Sequence, residues 1–568
     1  MPGGLMNLVS EGQPNIILNG NPSKTFFKAA YAKYTNFGLQ KFRVDFEGAK
    51  TLRLNEDSTF VFKIPRYADL LMDCYLSVDM PNIWSPIFPP VDPSSNSSVW
   101  VPYEFRWIEN LGAQMIKKIS ITCGSQTLQE FSGSYLLSAV QRDFSNHKKE
   151  LFNRMIGNIP DMNDPANAGA RVNAYPNAYY TSNQAGSEPS IRGRTLYIPL
   201  NSWFNMKSQM AFPLIALQYN ELQVSITMRP IQELFQIRDV LDSTNNYPYI
   251  APNFNQYYMQ FYRFLQTPPD IHLGVSSYTD TRTLWNADIH LNCTYCFLSN
   301  EESRVFALNE QKYIFNQVRE NTFYNVTGSN KIELQSLGMV SSYMFYFQRS
   351  DINLRNEWSN YSNWPYKYIP NDLTYAPTSV STATTGYLHI TRNNTGSTPS
   401  TTDAYIGPGV NNDGSITGWM ITGIYNTDNI KDILVNMALL LDGSYRENSQ
   451  PYGVYDLIEK YTRTTGAAQD GLYCYSFGVD NSSLHMQPSG AINMSRFNLI
   501  EMEINTIIPS LDPNAQTLTI CDPTTGTIVG INKPTWRIYD YNFDMTLFEE
   551  RINVITFIGG NCGLMYAT

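Results

Sequence analysis

The chain has 568 residues, 42% hydrophobic and 13% aromatic, with only 16% charged and a net charge of −10. That apolar content excludes an intrinsically disordered chain, and the acidity excludes a polyanion-binding surface spread over the whole molecule. The length predicts several domains, and the Asn, Ser, Thr, Gly and Pro that stand in place of charge predict β-strands joined by long polar loops.

The opening MPGGLMNLVSEGQPN carries neither the basic nor the apolar region of a secretory leader, and Pro2 excludes a Met-Gly myristoylation start. Gly20 and Pro22 mark a turn. Phe26, Phe27, Tyr31, Tyr34 and Phe37 then interleave with Lys24, Lys28 and Lys33, with no acidic residue between Glu11 and Asp45. Such a run suits stacking on single-stranded nucleic acid. Three lysines in an acidic chain make a poor basic footprint, however. The stretch is read as the entry to a packed domain, its rings buried and its Lys stems along the surface.

Residues 39–80 read as strands, with Phe60, Phe62 and Ile64 on one face and Cys74, Leu76 and Val78 on another. Ile119 and Ile121 alternate before a turn at Gly124-Ser125, a hairpin signal. A helix is expected over 134–156, where Leu136, Leu137, Val140 and Phe144 form a stripe. Residues 158–193 read as loop. Strands return at RTLYIPL and at ELQVSITMRP, which keeps Leu222, Val224, Ile226 and Met228 on one face. Residues 240–258 read as a linker. A second block follows, with a strand at HLNCTYCFLS and a short helix opened by Ser299 and Glu302 as a capping box. SYMFYFQRS reads as another strand, and 358–427 as a long exposed loop. Further strands are expected near 432–441, 471–479, 496–507, 516–520 and 535–547, before a last apolar segment at RINVITFIGG. Pattern alone thus gives two tandem β-sandwiches with no visible sequence repeat. The longest apolar run, around Ile433–Leu441, is far short of a bilayer span.

Signals for chemistry are sparse. Cys293 and Cys296 form a C-x-x-C inside a strand pattern, where an odd offset points the thiols to opposite faces and away from a shared metal. The seven cysteines are widely spaced, which favours reduced thiols over a disulfide framework. The five histidines (147, 272, 290, 389, 485) are scattered, and neither a phosphate-binding glycine loop nor a G-x-S-x-G elbow occurs. Glu301 and Glu302 complement a helix dipole rather than form a catalytic pair. No catalytic residue, cofactor or metal site is expected. Sequons stand at Asn96, Asn292, Asn325, Asn360, Asn393, Asn481 and Asn493.

Longer motifs carry a resemblance. GGLMNLVSEG is followed by Asn21-Pro22, then Thr25-Phe26-Phe27-Lys28 and Thr35-Asn36-Phe37. IPRYADLLMDCYLSVDMP and ISITCGSQTLQEFSG come next. YIPLNSWFNMKSQMAFPLIALQYNELQVSI contains Trp203-Phe204 and then Pro213-Leu214 and Gln218-Tyr219. YCFLSNEESRVFALNEQKYIFNQV and LLLDGSYR lie in the second block. YCYSFGVDNSSLHMQPSGAINMSRFN contains Gln487-Pro488-Ser489-Gly490, Asn493, Ser495 and Arg496, and NVITFIGGNCGLMYAT follows near the end. In this order and over nearly the whole chain, they resemble the major capsid proteins of nucleocytoplasmic large DNA viruses. The chain departs from that pattern in lacking an Asn-His-Pro before SYMFYFQ, in having Gly124-Ser125 for a Gly-Gly turn, and in the loop at 358–427.

The resemblance implies an all-β double jelly roll: two eight-stranded sandwiches with long loops and a few short helices. The expected divisions are an N-terminal arm at 1–24, a first jelly roll at 25–240 and a second at 241–568. It implies a structural protein, not an enzyme and without cofactors, whose homotrimer acts as a pseudo-hexagonal tile of an icosahedral shell. Implied partners are neighbouring capsomers, and minor capsid proteins and a membrane beneath the shell. Sugars on surface loops are also implied, with no direct nucleic acid. The implied location is the virion, after assembly in the host cytoplasm or a virus factory. Two other readings are a minor-copy capsid paralogue at a spike or vertex, and a glycan-binding β-sandwich.

Overall fold

Alternation becomes sheet wherever one face can be buried. The computed structural model describes residues 15–85, 104–171, 188–239, 248–256, 259–267, 280–363, 432–508 and 541–566, with a few isolated residues and short pieces outside these ranges. Its principal elements, in chain order, are β1 (Phe37–Asp45), β2 (Ser58–Lys63), β3 (Leu70–Asp79), β4 (Ile116–Cys123), β5 (Gln126–Phe131), helices α1 (Gly133–Asp143) and α2 (Asn146–Met155), β6 (Thr195–Pro199), β7 (Leu222–Met228) and β8 (His290–Leu298). After helix α3 (Asn300–Leu308) come β9 (Gln311–Phe323), β10 (Ser329–Glu333), β11 (Met339–Arg349), β12 (Leu434–Leu441), β13 (Ser444–Pro451), β14 (Leu472–Ser476), β15 (Ile500–Thr506), β16 (Phe543–Ile558) and β17 (Asn561–Leu564).

The first eight strands form two facing sheets, β1-β8-β3-β6 and β2-β7-β4-β5. The next eight repeat that order, β9-β16-β11-β14 against β10-β15-β12-β13, with β17 added on β16. The last strand of each set returns between its first and third. This is the Greek-key closure of a jelly roll, made twice on one chain.

The boundary between the two units differs from the expected one at 240/241. β8 pairs with β1 on one side (Leu39 opposite Cys296, Val44 opposite Leu291) and with β3 on the other. It is therefore the eighth strand of the first jelly roll, and the second begins at β9. Without it, β1 and β3 would each expose a row of unpaired backbone groups.

The alternating segments bury the faces read from sequence: Phe60, Phe62 and Ile64 on β2 and beyond, and Leu222, Val224, Ile226 and Met228 on β7. The expected helix over 134–156 is two helices, broken at Phe144-Ser145, where the backbone turns extended and Ser145 precedes α2. The strand expected near 535–547 and the segment RINVITFIGG are one strand, β16; residues 533–540 lie outside the described residues. Most of the loop at 358–427 also lies outside them. Its start does not behave as exposed loop, because Ser359, Asn360 and Tyr361 are buried.

β11 and β16 are buried on both faces. Tyr343, Phe345 and Phe347 with Phe543, Met545 and Leu547 fill the second sandwich. Met344, Tyr346 and Phe548, on the opposite face, join the core of the first. The two jelly rolls are thus fused along a continuous apolar seam, and α1 is wedged into it.

Candidate assembly surfaces and the seam

Helix α1 opens with Ser132, whose hydroxyl accepts from the Tyr135 amide at 3.2 Å. Its apolar stripe faces the seam. Its last turn carries Arg142 and Asp143, both 1% exposed. The Arg142 guanidinium grips Asp143 through Nε at 2.7 Å and Glu550 of β16 through Nη1 at 2.8 Å. Glu550 also accepts from Tyr135 Oη at 2.8 Å and from Ser342 of β11. Ser483 donates to Asp143 at 2.7 Å, and the Arg142 Nη2 donates to the Asn481 carbonyl at 3.1 Å. Burial alone would raise the Glu550 carboxyl, but the Arg142 charge and its bonds from Arg142, Ser342 and Tyr135 hold it below the ordinary carboxylate range. The Gly466 amide donates to the Arg142 carbonyl at 2.8 Å, and Lys149 Nζ of α2 to the Ala467 carbonyl at 2.6 Å. At a neighbouring part of the seam Trp203, in a short turn, packs against Phe204 and Phe212 of its own unit and Tyr313 and Phe315 of β9.

The resembling motif residues fall into three groups. Asn21, Pro22, Thr25, Phe26, Phe27, Lys28, Thr35 and Asn36 are exposed, and Phe37 begins β1 with its ring outward. The expectation that these rings bury fails: Phe26 is 104% exposed and Phe27 99%, with Tyr31 and Tyr34 close behind. Among the described residues nothing covers them, and β1, which follows them, is the edge of its sheet. Trp203, Phe204, Pro213 and Leu214 are buried, while the amides of Gln218 and of the exposed Tyr219 donate to the Gly560 carbonyl across the seam. In the third group, Ser489 Oγ accepts from the Asp480 amide at 2.9 Å and Gly490 sits at φ +141°. Asn493 caps the Ser495 amide, Ser495 Oγ accepts from the Gly338 amide at 2.8 Å, and Arg496 is exposed. The structure brings Trp203 and Gln487–Gly490, far apart in sequence, to one cleft. The Arg142 cluster was missed by sequence reading, and only its helical stripe signalled that this helix packs.

Among the described residues no group of three or more His, Cys, Asp or Glu is placed to hold a metal ion. Cys293 lies in the first core with its Sγ 3.5 Å from that of Cys74, whereas Cys296 packs with Leu70 and Ala211 on the other face of β8. The six described cysteines are all buried, and burial pushes the Cys474 thiol up to about 12. These six should react with an aromatic disulfide reagent at least ~100-fold more slowly in the native chain than in urea. Fast native labelling, mapped by peptide mass to any of them, contradicts this packing. Among the described sequons, Asn325 is exposed. Asn292, Asn360, Asn481 and Asn493 are at least half-buried and hold hydrogen bonds of their own.

Comparison with known proteins agrees with this architecture. A model described as the major capsid protein N-terminus matches residues 25–292, and one described as the large eukaryotic DNA virus major capsid protein matches 302–563. The chain is 23% identical to the major capsid protein of Phaeocystis pouchetii virus, with 100% of both chains covered. It is 22% identical to that of Paramecium bursaria Chlorella virus 1, again over 100% of both. A probable capsid protein 4 of Acanthamoeba polyphaga mimivirus is 22% identical over 90% of this chain and 94% of its own. Among solved structures, the Faustovirus major capsid protein superposes with a TM-score of 0.57 at 12% identity, covering 97% of this chain and 96% of its own. The PBCV-1 capsid model gives 0.55 at 17% identity, over 96% and 100%. Those structural likenesses establish the fold, a double jelly roll. With one family model ending at residue 292, within β8, the other starting at 302, and the two together covering almost the whole chain after the arm, the chain belongs to the major capsid protein family of large eukaryotic DNA viruses.

Proposed function

We propose that three copies of this chain form one capsomer, and that these capsomers tile an icosahedral shell. The observation that carries the reading is the duplication of one jelly-roll plan on a single chain, with the two copies locked along a buried seam. Three such rigid blocks present six similar sandwiches, which is what a six-neighbour lattice needs from a threefold particle. The low charge and high aromatic content suit large subunit contacts, whose centres are poor in charge and rich in Tyr, Trp and Met. The capsomer has no catalytic task, and its net negative charge keeps finished shells apart in solution.

The exposed rings of residues 26–37 support a contact between chains, since such a run left in water is unfavourable. The arm at 1–24 and this segment reach neighbouring chains, minor capsid proteins or the membrane under the shell. Any sugar on the described surface sits at Asn325. Assembly takes place in the host cytoplasm or a virus factory. Averaged electron images of the purified chain test the reading: a six-lobed particle with threefold symmetry is expected, and a two-lobed particle overturns it. Deletion of 1–24 should leave a folded trimer that assembles poorly into shells, because described residues 15–40 contribute nothing to either core. An unfolded or monomeric deletion product would sink that assignment.

A further inference from the structure

Both jelly rolls leave their sheets at the same point to make helix. α1 and α2 stand between β5 and β6. The counterparts of those strands are β13 and β14. Between them Val454–Ile458, wound as a π turn, runs on into the α-helix Glu459–Arg463, and the two form one continuous helix, α4. The equivalence extends to the strand each helix leans on. α1 starts against β4, with Gly133 beside the Ile116 carbonyl. On α4, Tyr455 Oη donates at 2.9 Å to the Met437 carbonyl of β12, the counterpart of β4.

The apolar sides of the two helices meet different fates. On α1, Leu136, Leu137 and Val140 are buried in the seam, with Met344, Tyr346 and Phe548 of the outer face of β9-β16-β11-β14. α4 reverses the usual pattern of a surface helix, which turns its apolar side inward. Its inward side carries Asp456 and Lys460, both buried, with Lys460 Nζ on Asp456 Oδ1 at 2.6 Å and on the Gln469 carbonyl at 2.9 Å. Its outward side carries Leu457, Ile458 and Tyr461, which are 63, 55 and 90% exposed. Val479, also exposed, stands beside the helix end, where Arg463 Nη1 donates to its carbonyl. Among the described residues nothing covers this patch, and an apolar patch of this kind marks an interaction surface. The sheet that corresponds to the one under α1 is open as well. It is β1-β8-β3-β6 of the first jelly roll, whose outer face presents the exposed Leu39 and Tyr197, with the half-buried Asn292 and Tyr75 paired between them.

We propose that α4 of one copy docks on the outer face of β1-β8-β3-β6 of the next copy, as α1 docks within the chain on β9-β16-β11-β14. The contact is heterologous, and repeated around a threefold axis it closes. Internal and external seams then alternate around one ring. The inference rests on the capsomer reading and names the surface that makes it. Leu457→Asp with Tyr461→Asp puts charge on the exposed side of α4, away from both cores, so the chain stays folded, which thermal melting checks. Light scattering over a dilution series should show a wild-type trimer, and a variant whose trimer dissociates at an at least ~10-fold higher concentration. A wild-type trimer with an unchanged variant midpoint overturns the docking and leaves the capsomer reading standing, whereas a wild-type monomer overturns both. The receiving face has its own test. Tyr461→Cys with Tyr197→Cys, treated with a flexible bis-maleimide, should give covalently joined chains on denaturing gels, with the joined peptides containing positions 461 and 197. A trimer that yields no such link between chains overturns the assignment of that face. Should the aspartate variant fail to fold, the cross-link decides.

Discussion

Arg142→Met destabilises the folded chain by about 3–5 kcal/mol. The guanidinium is the shared counter-charge of Asp143 and Glu550, and all three groups are almost wholly withdrawn from water. Methionine fits the apolar stem but strands two carboxylates in a low-dielectric seam, where an unpaired charge costs far more than the intact cluster gains. The double variant Arg142→Met with Glu550→Gln should recover part of the loss, since one stranded charge goes with it. Denaturant titration of the wild-type chain and both variants measures the effect. Equal midpoints for wild type and Arg142→Met would contradict the buried cluster.

The same cluster sets a pH dependence. Glu550 is held below its ordinary value of 4.5 in the folded chain, so the unfolded chain binds more protons in that window. Its contribution is fully present above about pH 4.5, and is lost as pH falls toward the folded value. The wild-type chain should therefore weaken on acidification below that point, and the Arg142→Met variant should show a shallower acid slope.

Gly133→Ala is the second large effect, and its sign is the informative part. In an exposed helix, alanine for glycine stabilises by roughly 0.5–1 kcal/mol. Here a Cβ would run into the carbonyl oxygen of Ala113, and would stand 2.6 Å from that of Ile116. Neither carbonyl belongs to a flexible side chain. The surrounding turn is pinned by the Gly112 amide on the Ile156 carbonyl and the Met115 amide on the Leu111 carbonyl, both at 2.8 Å. The clash must shift α1 itself, which carries the seam, so the loss should be about 3 kcal/mol or more. Thermal or denaturant melting decides it: a stabilised variant would mean that α1 does not seat this closely.

Sequence disclosed which face is buried on strands that bury one, and only the existence of the strands that bury two. β2 and β7 alternate cleanly, and their inward residues could be named in advance. β11 and the first half of β16 pack against a core on one side and the other jelly roll on the other, so those runs carry no period from which to read a face. The two blocks read as tandem sandwiches, but no repeat of sequence showed that they share one strand order. β8 was placed in the wrong unit because its partners, β1 and β3, lie more than 200 residues upstream, and local pattern holds no record of such pairing. Arg142 reads as an ordinary basic residue in a helix's last turn, since the two carboxylates include one from the far end of the chain. The exposed aromatics failed in the opposite sense. Their composition looked like core, but among the described residues nothing covers them.

The mass of the purified chain in solution, by light scattering at micromolar concentration, tests the central claim most directly. The account predicts a stable particle of three times the 64.7 kDa chain mass. A particle that remains at the mass of one chain as concentration rises would contradict it.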